Sequence, residues 1–302
     1  MNMLTTPTPP VVELIELEHS LRRPRTLVNF FLTGATTLLT LAALAPLFSV
    51  LYMLVLRGGR QFSWALLTEL PPAAFQIGGG FGNAIVGTFL TVAIAAFVSV
   101  PFGILCAIFL AEIGPRRRVA KVVRFCAKLL TGFPSILAGV FAYGSVVLLT
   151  GGYSAVAGGI ALAVLMLPTI MLTAEEALLM VPAKMREAAI GMGCTQTQVV
   201  WRILAPTAVP GMLTGVMLAV ARAAGETAPL LFTALFSNYW PWSNGGLELM
   251  QPTASLAVLI YNFSAMPFET QTELAWAAAL VLVLLVLATN LLGQGLSRRT
   301  VR

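Results

Sequence analysis

Residues Glu175–Gly211 read EEALLMVPAKMREAAIGMGCTQTQVVWRILAPTAVPG, and the reading of this stretch decides the fold. It joins two apolar runs, yet it is itself rich in Ala, Leu, Met, Val and Ile. A connection that met only water would be polar. Its apolar residues are spaced for short helices, and short amphipathic helices need a surface to cover them. The stretch 175–210 is therefore expected to be a docking loop, with Glu175 and Glu176 opening its first helix.

The flanking runs set the class. Hydrophobic residues make up 58% of the chain and charged residues 10%, and the mean hydropathy is +0.89. Soluble domains carry about 25% charged residues. Six apolar segments are long enough to span a bilayer, which takes roughly 20 helical residues. They lie near Val28–Leu56, Asn83–Ala111, Leu129–Thr150, Ser154–Ala174, Val209–Phe236 and Glu273–Leu292. The expected fold is all-α: a polytopic membrane protein with six transmembrane helices. Pro46, Pro101, Pro134 and Pro168 fall inside spans, where neighbouring helices satisfy the freed carbonyls. Runs such as GGIALA and LAGVFAYGS suit close helix packing.

Lys and Arg fix the orientation. With the N-terminus inside, Arg22, Arg23, Arg25, the cluster Arg116–Lys128, then Lys184, Arg186, Arg202, Arg298, Arg299 and Arg302 all fall on the cytoplasmic side. Only Arg57 and Arg60 fall outside, and Arg222 falls within the membrane. The net charge of +6 is thus a signature of topology, and no nucleic-acid partner is implied. The chain divides into a cytoplasmic N-terminal tail (1–29), a first transmembrane helix with an external linker (30–82), a transmembrane domain that includes the loop 175–210 (83–295), and a basic cytoplasmic C-terminus (296–302). The tail is too polar and too acidic for a cleavable signal peptide, and Val11–Leu21 has the pattern of a short amphipathic helix. Ser237–Thr270 reads as an external segment with interfacial Trp240 and Trp242; within it, ASLAVLIYNF is too short to span and lies along or dips into the outer boundary.

Several chemistries lack their equipment. Cys106, Cys126 and Cys194 are odd in number and have no Cys-x-x-Cys spacing, so neither a disulfide framework nor a metal site is expected. His19 is the single histidine, it sits in the tail, and the chain has no aspartate. An intramembrane enzyme therefore has few candidate groups. No Gly-x-x-x-x-Gly-Lys-Ser/Thr phosphate loop occurs, so the chain binds no nucleotide by that device. The twelve methionines read as packing residues and Glu112 as an interfacial carboxylate near basic neighbours.

Glu187-Ala188-Ala189, then Gly193, then Ile203 and Pro206 match E-A-A, three residues, glycine, nine residues, I-x-L-P, with Ala205 at the usual leucine. This resembles the EAA loop of ABC-importer permeases, which forms a coupling helix that docks on an ATPase subunit. NAIVGT (83–88), GFPSILAGVF (132–141) and above all ARAAGETAPLLFTA (221–234) are similar to the PstA-type permease of the phosphate importer. A PstC-type subunit shares the Arg…Gly-Glu-Thr part but usually lacks the Ala-Pro-Leu-Leu-Phe continuation. The resemblance implies a type I, MetI-like permease core in a prokaryotic inner membrane. It implies a PstC-type partner permease, a PstB-type ATPase dimer that uses ATP and Mg, and a PstS-type external phosphate-binding protein. No cofactor is expected on this chain.

Counting 1.5 Å per residue from Gly211 puts Arg222 roughly 16 Å into the fifth span, with Glu226 one turn on along the same face. A lipid-facing charge there costs at least about 2.5–3.5 kcal/mol, so this face must meet protein or a water-filled path. One reading is a structural ion pair, although Arg before Glu is the weaker order in a helix. The other is a substrate path in which Arg222 offers a planar donor fork to a tetrahedral oxyanion, with Glu226 and Thr227 beside it. The resemblance favours the path. A secondary anion transporter or channel using the Arg–Glu pair is the alternative, but it has no need of a docking loop.

Overall fold

The computed structural model describes residues 24–300 except Ala74, Ile77 and Asn244, so the expected helix at Val11–Leu21 lies outside the described residues. Five described helices are long and apolar enough to cross a membrane, or six if one bent pair counts as a span. The chain divides into a unit up to Tyr52 and a larger one from Met53. The first contains α1 (Pro24–Met53), an apolar helix in which the hydroxyls of Thr36, Thr37 and Thr40 donate to carbonyls four residues back. That back-bonding satisfies polar atoms without water, as a lipid environment requires.

The larger unit opens with a π-helical turn (Leu54–Gly58) and the short α2 (Trp64–Thr68), so the linker after the first helix carries structure of its own. Next come α3 (Gly82–Ile108), ending in a π-helical turn (Phe109–Ile113), and α4 (Arg118–Gly132). α5 (Ser135–Ala142) runs through a π-helical turn (Tyr143–Val147) into α6 (Leu148–Thr150). α7 (Ala155–Leu179) is the axis of the fold. It packs against α3, α4, α5 and α10, and presents Gly158, Gly159, Ala161 and Leu162 as buried surface. These small residues let backbones approach, as the GGIALA run leads one to expect. Leu162, Met166, Ile170, Ala95, Ala219 and Ala223 form the central core.

The third expected span is corrected. Leu129–Thr150 is not one straight helix: Arg118–Gly132 and Ser135–Thr150 meet at 107°. The cause is Gly132-Phe133-Pro134, because the residue before proline is driven out of the α region. Phe133 is extended, at φ −75° and ψ 142°. The fourth span is longer than expected, since α7 continues through Glu175 and Glu176, which therefore do not open a new helix.

The expected loop 175–210 likewise shrinks to one short helix between two turns: α8 (Ala183–Gly191). From Gln196 the chain is already in the next long helix. α9 (Gln196–Val199), a π-helical turn (Val200–Leu204) and α10 (Ala205–Ala224) run on as one apolar helix, Gln196–Ala224. The widened turn precedes Pro206, which cannot donate to the helix ladder. α11 (Ala228–Leu231) follows a break, then a two-stranded ribbon pairing Trp242–Ser243 with Gly246–Leu247. α12 (Leu256–Ser264) buries Leu256, Leu259 and Phe263 against α3 and α13 (Glu269–Thr300), so the ASLAVLIYNF segment dips into the fold. Asn83 holds the segment after α11 down by donating to the carbonyls of Ser237 (2.8 Å) and Tyr239 (3.3 Å).

Candidate functional site

Arg222 and Glu226 do not share one helix face, as a continuous span Val209–Phe236 would require. α10 ends at Ala224; Gly225 caps it, and Glu226 lies in the break before α11. Gly225 and Pro229 account for the break, one by its low helix propensity and the other by its missing N–H. Neighbours hold it closed. A Cβ on Gly139 of α5 would stand 2.7 Å from the Pro229 Cα, so α5 approaches this turn as only a glycine allows. Thr233 donates to the Pro229 carbonyl at 2.7 Å. The long helix also starts at Gln196, so at 1.5 Å per residue roughly 39 Å of helix precede Arg222.

Ending the helix between the two residues removes the objection about their order. Arg222 sits in the last turn, where the helix dipole favours a cation. Its Nε is 3.4 Å from Glu226 Oε1. Arg222 is 47% exposed and Glu226 17%, and neither terminal guanidinium nitrogen has a partner among the described residues. The pair is loose and single-pronged, and the terminal guanidinium nitrogens are left open. Thr227 stands next to it at the head of α11, half-buried, with a hydroxyl that caps nothing.

The second group of expected residues lies at the other end of the long helix. Glu187 and Ala188 are exposed on α8, while Ala189 is buried against Leu178, Val199 and Leu204. Ile203 packs on the same cluster, and Pro206 is exposed. Gly193 has φ +85°, with its N–H on the Ile190 carbonyl at 2.9 Å, and a Cβ there would meet nothing within 4 Å. The glycine serves a left-handed turn, and among the described residues no backbone approaches it closely. Thr195 then starts the long helix in a capping box with Gln198. Met180, Met185 and Met192 are exposed around this helix, which corrects the reading of all methionines as packing residues. Flexible thioethers suit an adaptable docking surface.

Two ion pairs escaped the sequence reading, and both tie this end together. Glu112, at the end of the α3 helix, is 6% exposed and ion-paired with Arg186 of α8. Gln196 Nε2 also donates to the Glu112 carbonyl at 3.0 Å. Arg124 of α4 meets Glu175 of α7 at 2.6 Å and donates to the carbonyls of Leu110 (2.8 Å) and Pro115 (3.2 Å). A carboxylate at the end of an apolar run needs a partner once it is buried, and that was the available signal. Among the described residues no cluster of His, Cys, Asp or Glu is placed to hold a metal.

Comparison with known proteins places this geometry. The family model described as "Binding-protein-dependent transport system inner membrane component" matches residues 99–302. The chain is 39% identical over 263 residues to the phosphate transport system permease protein PstA of Haemophilus influenzae, covering 87% of this chain and 91% of that protein. Its fold is similar to a chain of the MetNI methionine ABC transporter in an inward-facing conformation (TM-score 0.58, 20% identity, 73% of this chain and 94% of that one covered). It is also similar to a chain of a bacterial alginate ABC transporter bound to its periplasmic protein (TM-score 0.64, 14% identity, 91% and 96% covered).

Proposed function

The chain belongs to the binding-protein-dependent transport system inner membrane components, and among them to the PstA-type permeases; from that premise we propose that it passes inorganic phosphate through an ATP-driven importer. It is a multi-pass membrane protein and a permease subunit of an ABC transporter, in which ATP is used by a partner ATPase. In this reading residues 83–295 are the transport core and form half of the translocation path. A PstC-type permease supplies the other half, a PstB-type dimer binds ATP and Mg, and a PstS-type protein delivers phosphate from outside. Both termini are cytoplasmic.

Arg222, Glu226 and Thr227 line the path. The supporting observation is the half-exposed Arg222 guanidinium, whose terminal nitrogens are unpaired among the described residues. A planar fork of this kind matches two oxygens of a tetrahedral oxyanion. Glu226 restrains the arginine when the path is empty and accepts a hydrogen bond from a protonated phosphate oxygen. Glu187, Ala188, Ala189, Gly193, Ile203 and Pro206 form the surface that couples to the ATPase. No observation favours a secondary transporter or channel that works without one.

Uptake of radiolabelled phosphate by vesicles holding the four-component complex tests the path. The Arg222→Gln/Glu226→Gln chain is expected to insert and assemble while uptake stays near background. Uptake close to wild type would leave the pair a structural one.

A further inference from the structure

Among the helices at the coupling end, α4 has no acidic residue and carries Arg118, Lys121, Arg124 and Lys128, just after Arg116 and Arg117. It shows three faces at helical spacing. Ala120 and Ala127 are buried, two turns apart on the inner face. Val122, Phe125 and Leu129 lie on another face and are exposed. Lys121 and Lys128 run along the edge between them, and Arg118 stands one turn before Val122 at the N-terminal end of the exposed apolar face; all three are exposed, and their side chains make no hydrogen bond or ion pair among the described residues. Arg124 is the exception. Its contacts with Glu175 and the Leu110 and Pro115 carbonyls use it internally and fix which way the other faces point.

The 107° bend at Phe133-Pro134 turns α4 away from the apolar segment Ser135–Thr150. If that segment crosses the bilayer, α4 lies close to the membrane plane. An apolar face bordered by ammonium and guanidinium groups is the pattern of a helix seated in a headgroup layer, with its apolar side towards the acyl chains. Each Lys or Arg near such a surface is attracted by anionic headgroups. We propose that α4 is an anionic-phospholipid binding helix, seated on the leaflet at the coupling end, with Arg118, Lys121 and Lys128 holding the phosphodiester headgroups.

Neither of two readouts involves phosphate uptake, so they stand or fall apart from the transport reading. The first is the association of spin-labelled phosphatidylglycerol and phosphatidylcholine with the full complex in nanodiscs. The wild type is expected to prefer phosphatidylglycerol, and Arg118→Gln/Lys121→Gln/Lys128→Gln to reduce that preference by about threefold or more. Lys121→Arg/Lys128→Arg should keep it. The second is photocrosslinking from p-benzoylphenylalanine introduced at Phe125, which is expected to capture phospholipid. An unchanged lipid preference in the triple variant overturns the assignment. So does a crosslink from position 125 to the ATPase or the second permease.

Discussion

Glu112 is 6% exposed and shares its surroundings with Arg186 and Gln196, whereas Glu226 meets a 47% exposed Arg222 through a single 3.4 Å contact. Both are arginine–glutamate pairs in an apolar chain. The first joins the end of one membrane helix to α8 and leaves its carboxylate almost no access to water. The second joins residues on either side of a helix break and leaves a donor fork open. A buried pair resists being parted, because either partner alone is a stranded charge. An exposed pair is worth about 0–1 kcal/mol and can be exchanged for another ligand at little cost. Chemically similar pairs can thus serve as a fastening at one end and an exchangeable contact at the other.

Arg222→Lys is the severest trial of that contrast. It keeps the charge but replaces the planar fork with a point charge on a slightly shorter side chain. Phosphate uptake is expected to fall by about tenfold or more, the equivalent of one lost charge-assisted hydrogen bond, while thermal stability stays level. A proportionate loss of stability would make this pair a fastening as well. Glu112→Gln tests the other end. It should destabilise the subunit by about 2 kcal/mol, below the 3–5 kcal/mol of a fully buried pair because Arg186 can turn partly to water. It should also weaken retention of the ATPase on affinity purification. Full stability with normal retention would show that Arg186 needs no anchor.

Gly193→Val places a β-branched residue at φ +85° and should cost about 1–3 kcal/mol. Gly193→Asn, which tolerates that conformation, should cost only a few tenths. Comparable losses of ATPase coupling in the two variants would point to contact with the partner in place of turn geometry. The smallest effect is expected from Glu226→Gln, whose melting temperature should shift by no more than about 1 kcal/mol implies. A drop as large as that of Glu112→Gln would erase the distinction between the two pairs.

Much of this was legible in the sequence, for reasons that can be named. Glu187, Gly193 and Pro206 keep a fixed spacing, and Arg222 is a charge in an apolar run, so the candidate residues at both ends of the long helix could be named without coordinates. What failed was local punctuation. Phe133-Pro134 and Gly225 break helices, yet inside a continuous apolar run hydropathy outweighed them. Glu175 and Glu176 looked like a helix start because carboxylates favour that position, and Arg124 could not be seen as the tertiary partner that keeps Glu175 inside α7. Pairs such as Arg186–Glu112 join residues far apart in the chain, and no periodicity reports them.

The capped turn at Thr195 and the open arginine at 222 are ends of one helical span, which runs on through the π-helical turn at Val200–Leu204. That makes the helix a lever arm. A tilt of about 5° about its Thr195 end sweeps the far tip sideways by about 3 Å over some 39 Å of length. Three ångströms is the span of one hydrogen bond between a guanidinium and an anion oxygen. On the proposed reading of the two ends, a small rotation at α8 is therefore large enough to make or break a guanidinium–anion hydrogen bond at Arg222.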